Sequence, residues 1–164
     1  YAYSITLDGS YKWFDFRVYF QGIGKRDYVF PNSAPYFGIA SEWQRTLYKE
    51  HLDYFRFAGS ELGSNQDPFY GRIRIDGNNT KISDRFVENA AYCRLKNVQL
   101  GFTIPFSEAA KKYIKHCRIY VSGENLLTFT NLRIFDPEAI NGAWGPGKSY
   151  PNYRTFSVGA DIKF

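Results

Sequence analysis

The last ten residues alternate between apolar and polar side chains. Phe156, Val158, Ala160, Ile162 and Phe164 share one parity, and Ser157, Gly159, Asp161 and Lys163 share the other. Successive residues of a strand point to opposite faces, so this segment reads as a strand with one apolar and one polar face. No turn signal follows it. An open apolar edge pairs promiscuously in water. In a closed outer-membrane barrel the last strand pairs with the first and no edge is left. The pattern therefore favours a sheet that closes on further strands of the same kind.

Four other segments carry the same period. Residues 2–11 are apolar at Tyr3, Ile5 and Leu7, and residues 14–24 at Phe14, Phe16, Val18 and Phe20. Lys12 and Trp13 alone separate them, which predicts a tight hairpin. Residues 92–104 are apolar at Val98, Leu100, Phe102 and Ile104, with Asn97, Gln99, Gly101 and Thr103 opposite, and Pro105 ends the run. Residues 117–129 place Ile119, Val121, Leu127 and Phe129 on one face, and Arg118, Ser122 and Glu124 on the other. The fifth strand is 155–164. The connections alternate between short turns and the long loops 25–91 and 130–154. Loops that long are usually functional, and short turns on one side with long loops on the other is the asymmetry of an outer-membrane barrel. With the C-terminus placed in the periplasm, both long loops fall outside the cell. Arg94 and Lys96 share the parity of the apolar row in the third strand. Contact with lipopolysaccharide at the outer rim, a bulge that turns them inward, or plain solvent exposure would each accommodate them.

Composition narrows the function classes. Charged residues are 23%, aromatic residues 20%, and the mean hydropathy is −0.43. No run approaches the roughly 18–20 apolar residues of a spanning helix, but polar lumen residues dilute the hydropathy of a barrel in just this way. The net charge of +5 is spread along the 164 residues, with no basic stripe for nucleic acid, and Lys111-Lys112 reads as a solvated turn. The chain lacks methionine, as expected of a mature or partial form. Cys93 and Cys117 are predicted to lie far apart along neighbouring strands and to be free. In the first long loop, Ser41 and Gln44 fit a capping box, and Trp43, Leu47 and His51 repeat at helical spacing. His51 and His116 have no partnered nucleophile, and no carboxylate pair has a spacing suited to acid–base chemistry. The expected function is therefore not enzymatic. No cofactor or metal site is assigned; a calcium ion at Asp136 and Glu138 is a bare possibility.

Longer motifs point to one family. Residues 89–105 (NAAYCRLKNVQLGFTIP) closely resemble the signature strand of SusC/RagA-type TonB-linked outer-membrane transporters. Residues 118–130 (RIYVSGENLLTFT), the Phe135-Asp136-Pro137-Glu138 motif and residues 150–156 resemble further motifs of that family, as do residues 11–15 and 20–22. Cys93 and Glu124 stand where Leu and Gln are usual in it, and Trp13 where Gly is common.

The resemblance implies an all-β fold: the C-terminal five antiparallel strands of a 22-stranded transmembrane barrel, with long extracellular loops and a plug domain outside this chain. It implies uptake of oligosaccharide or peptide together with a SusD-like surface lipoprotein, energised through TonB, in the bacterial outer membrane. Asp15, Arg17, Tyr19, Gln21, Gln99, Glu124, Asp161 and Lys163 are the expected lumen-facing wall. Trp43, Tyr70, Trp144 and Tyr153 are the loop aromatics expected to face cargo or lipoprotein. Phe164 resembles the terminal aromatic read by the barrel-assembly machinery. Lipopolysaccharide and the remaining barrel strands complete the expected partners. The competing reading is a soluble β-sandwich carbohydrate-binding module, which the aromatic content would also suit.

Overall fold

A computed structural model describes residues 1–29, 49–72, 84–140, 150 and 152–164. They fall into two compact units, one of residues 1–26, 91–130 and 151–164, the other of residues 27–90 and 131–150.

The first unit is a five-stranded antiparallel sheet. Its strands are β1 (Ala2–Tyr11), β2 (Phe14–Ile23), β5 (Tyr92–Thr103), β6 (His116–Thr130) and β7 (Thr155–Lys163), adjacent in that order. The turn between β1 and β2 is Lys12-Trp13, with Lys12 in the left-handed region at φ 54°. Such mirror-image turns match the twist of the flanking strands. A single helical turn, Glu108–Lys111, lies in the β5–β6 connection. Cys93 pairs in register with Phe129 and Cys117 with Ile162, and both thiols are free.

Registers put like with like. Phe14, Phe16 and Val18 on β2 face Phe102, Leu100 and Val98 on β5, which face Ile119, Val121 and Gly123 on β6. The resulting apolar face is exposed, with Phe14 61% and Val158 78% accessible. Burying one such side chain is worth about 1.5–3 kcal/mol. Leaving the whole row in water would forfeit on the order of tens of kcal/mol, more than the net stability of a typical domain. This face calls for an apolar cover beyond the described residues.

The strand β5 changes phase at Lys96. Tyr19 pairs with Asn97 but Phe20 pairs with Leu95, so Lys96 belongs to neither ladder. Across the other ladder, Asn125 and Leu126 lie opposite it, and Asn125 adopts φ 52°. Asparagine tolerates that left-handed conformation better than most residues. The bulge moves Cys93 and Leu95 into the apolar row and Arg94 onto the polar face, paired with Gln21 and Thr128. Arg94 is 2% exposed, so an outward contact with lipopolysaccharide phosphate is not its role.

The second unit contains the short ladder of β3 (Asp27–Tyr28) and β4 (Glu88–Asn89), and the 3-10 turns Lys49–Leu52 and Asp84–Phe86. Its core is Tyr70, Phe86, Ala90, Leu132 and Ile140, with Tyr28, Tyr54, Phe69, Ile134 and Phe135 packed around them. Polar ties fix the backbone. Tyr28 Oη donates to the Ile140 carbonyl at 3.0 Å, and Arg85 donates to the carbonyls of Pro68 and Phe69 at 2.7 and 2.8 Å. The Asp53 carboxylate accepts from Asn65 Nδ2 and from the Phe69 amide. Those bonds, the Asn65 bond foremost, hold its pKa below the ordinary value. The expected capping box at Ser41 and Gln44 lies outside the described residues. His51, from the same expected helix, is buried in a 3-10 turn, edge-on to Tyr70 with 5.1 Å between ring centroids.

Candidate functional site

The polar face of the five-stranded sheet gathers all eight expected wall residues. Asp15, Arg17, Tyr19 and Gln21 lie on it from β2, Gln99 from β5, Glu124 from β6, and Asp161 and Lys163 from β7. Period-2 alternation and the ladders alone put them there.

Two opposite-sign pairs lie on this face. Arg17 Nε donates to Asp8 Oδ1 at 2.6 Å, across the β1–β2 ladder. Arg118 donates from two nitrogens to the two oxygens of Asp15, with Nε to Oδ2 at 2.9 Å. That second pair reaches from β2 to β6 over the strand between them. It passes above Gly101, where an added Cβ would run into both the guanidinium and the carboxylate. Arg118 is also in register with Asp161 and lies 5.1 Å over the Tyr120 ring. A groove of about 460 Å³ runs beside these pairs, lined by Asp8, Ser10, Asp15, Arg17, Gln99 and Arg118. The bidentate Asp15–Arg118 pair is the more shielded, with side chains 33% and 22% exposed. Two parallel charge-assisted bonds fix orientation as well as energy.

A double-mutant cycle of Asp15→Ala and Arg118→Ala in the full-length protein is expected to give a coupling of about 1–2 kcal/mol. Heat denaturation of the detergent-solubilised protein would measure it. The exposed Asp8–Arg17 pair should show weaker coupling, and a larger value there than at Asp15–Arg118 would refute the ranking.

The four loop aromatics part company. Trp43 and Trp144 lie outside the described residues. Tyr153 is 63% exposed, and its carbonyl accepts from Asn125 Nδ2 at 3.2 Å. Tyr70 is 1% exposed, so in this structure its ring is core rather than contact surface. Three charged residues of the polar face lie outside the expected set: Asp8, Arg94 and Arg118. Asp8 and Arg118 carried the right parity. Arg94 carried the wrong one until the bulge reversed it. Among the described residues, no group of three or more His, Cys, Asp or Glu is placed to hold a metal ion. Asp136 Oδ1 instead accepts from the Glu138 amide at 2.9 Å, closing its own turn. Among the described residues, no helix is long and apolar enough to cross a membrane.

No family model matches the chain. Two curated proteins of Formosa agariphila are similar to it. TonB-dependent receptor P26 is 31% identical over 165 residues, covering 94% of this chain and 16% of that protein. TonB-dependent receptor P3 is 40% identical over 97 residues, covering 51% of this chain and 9% of that protein. The chain thus spans less than a fifth of these relatives. Among solved structures, the RagAB peptide transporter matches with TM-score 0.69 and 26% identity, over 97% of this chain and 16% of that one. The RagAB peptide importer in its closed-closed state matches with TM-score 0.70 over 99% of this chain and 17% of that one; at 24% identity it speaks to the fold alone.

Proposed function

Because the chain is a segment of a SusC/RagA-type TonB-dependent outer-membrane transporter, we propose that its sheet is part of the wall of an import barrel. The cargo class is oligosaccharide or peptide, and the 26%-identical structural neighbour described as a peptide transporter favours peptide. The two-faced sheet is the observation that carries this reading. One face is an exposed apolar surface suited to lipid, and the other is lined by paired charges suited to a water-filled lumen. Its role is translocation without bond chemistry.

Five strands are too few to close a barrel, since the smallest use about eight. β1 and β7 sit at the two edges of the sheet. Each is proposed to pair with further strands of a barrel of 22. In this arrangement the plug occupies the lumen, TonB supplies energy through it, and a SusD-like lipoprotein covers the extracellular mouth. The long loops, which include the second compact unit, face that lipoprotein, and the Lys12-Trp13 turn faces the periplasm. Of the four expected loop aromatics, Tyr153 is the one that is both described and exposed.

A soluble β-sandwich would bury its apolar face against a second sheet, and the exposure of this face speaks against it. The deciding experiment deletes the full-length gene and follows uptake of labelled peptides and oligosaccharides, with and without a protonophore. Proton-motive uptake that vanishes on deletion is the expected result. Unchanged uptake of every peptide and oligosaccharide offered would refute the proposal.

A further inference from the structure

The geometry points to a binding site for an anionic phospholipid on the apolar face, at the short-turn end of the sheet. A groove of about 600 Å³ opens there, with Tyr11, Phe14, Phe16, Leu100, Phe102 and Ile119 among its lining residues. Gly9 makes room at one side, because the Phe16 ring lies where a side chain at that position would go. The Phe14 and Phe102 rings, 4.9 Å apart and tilted by 51°, form another wall. Such a lining accepts hydrocarbon.

The connections at this end of the sheet carry cations. Lys12 lies in the β1–β2 turn, its ammonium 5.3 Å from the Tyr11 ring centroid. The β5–β6 connection emerges at the same end, tied there by the Thr103 amide to the Trp13 carbonyl at 2.7 Å and the Ile104 amide to the Cys117 carbonyl at 2.9 Å. It adds Lys111, Lys112 and Lys115, of which Lys115 donates to the Phe164 carbonyl at 3.0 Å. The acidic residue of that connection, Glu108, is matched by Lys111 at 2.5 Å. Tyr11, Trp13 and Tyr113 are exposed beside them, and amphipathic rings of this kind settle at headgroup depth. An acyl chain in the groove would bring its phosphate to the end of the sheet whose connections carry Lys12 and Lys112. A second cation in the headgroup would be repelled there, so the occupant is an anionic lipid such as phosphatidylglycerol. The site rests on the proposed orientation, in which this end lies in the phospholipid leaflet.

The test uses the full-length transporter in mild detergent, mixed with phosphatidylglycerol or phosphatidylcholine and examined by native mass spectrometry. Wild type should retain phosphatidylglycerol preferentially. Each of Lys12→Gln and Lys112→Gln should lower that retention about fivefold, and salt should erode it. Equal retention by wild type and both variants, or no preference between the two lipids, overturns the site and leaves the orientation standing. Lysine-dependent retention of lipid A in place of phospholipid overturns both.

Discussion

Gly22→Ala is expected to destabilise the sheet by about 3 kcal/mol, near the upper end for an overpacked site. A Cβ at Gly22 would meet the backbone carbonyl of Tyr92 on β5 and the ring of Tyr3 on β1. The ring can swing away. The carbonyl cannot, because β5 is held on both sides by β2 and β6. Gly101→Ala is the informative contrast. Its added methyl would meet side-chain atoms of Arg118 and Asp15, so it should weaken the ion pair while leaving the strands in place. The measurement is the temperature at which the full-length protein loses its folded form on a gel, together with its yield in the membrane. Gly22→Ala melting with wild type, or Gly101→Ala proving the worse of the two, would refute the distinction.

The second large effect lies in the loop unit. Tyr70→Ala should cost about 3–5 kcal/mol of that unit's stability, the range for removing a large buried ring. Tyr70→Phe should cost less than about 1 kcal/mol. The ring fills the core, but the buried hydroxyl makes no hydrogen bond among the described residues. Burial, more than the nearby Glu88 charge, holds the phenol well above its ordinary pKa, so it stays neutral. Limited proteolysis of the loops in the intact protein would report the two variants. A Phe variant as fragile as the Ala variant would mean that the hydroxyl has a function this structure does not show.

The five strands were legible because alternation is a local signal, written within each segment. The apolar row Phe14, Phe16 and Val18 needs no knowledge of β5 to be recognised. Pairings between distant residues were not legible in this way. Arg118 and Asp15 are 103 positions apart, and parity alone does not say that their side chains meet over a glycine. Tyr70 illustrates the same limit. Its loop is full of aromatics, and which one becomes core depends on Leu132 and Ile140, contributed by the other loop. Arg94 was legible only as a set of alternatives, an inward turn at a bulge among them. A parity count assumes an unbroken strand, and the bulge at Lys96 leaves the composition around it looking ordinary.

The phase break at Lys96 also bears on how such a strand tolerates changes of length. Losing one residue elsewhere in a two-faced strand inverts every side chain on one side of the loss. Losing Lys96 would not. Leu95 would then follow Asn97 in the alternation it already obeys in space, with Cys93 still outward and Arg94 still inward. Lys96 is thus a place where this wall can gain or lose a residue without turning its lining inside out.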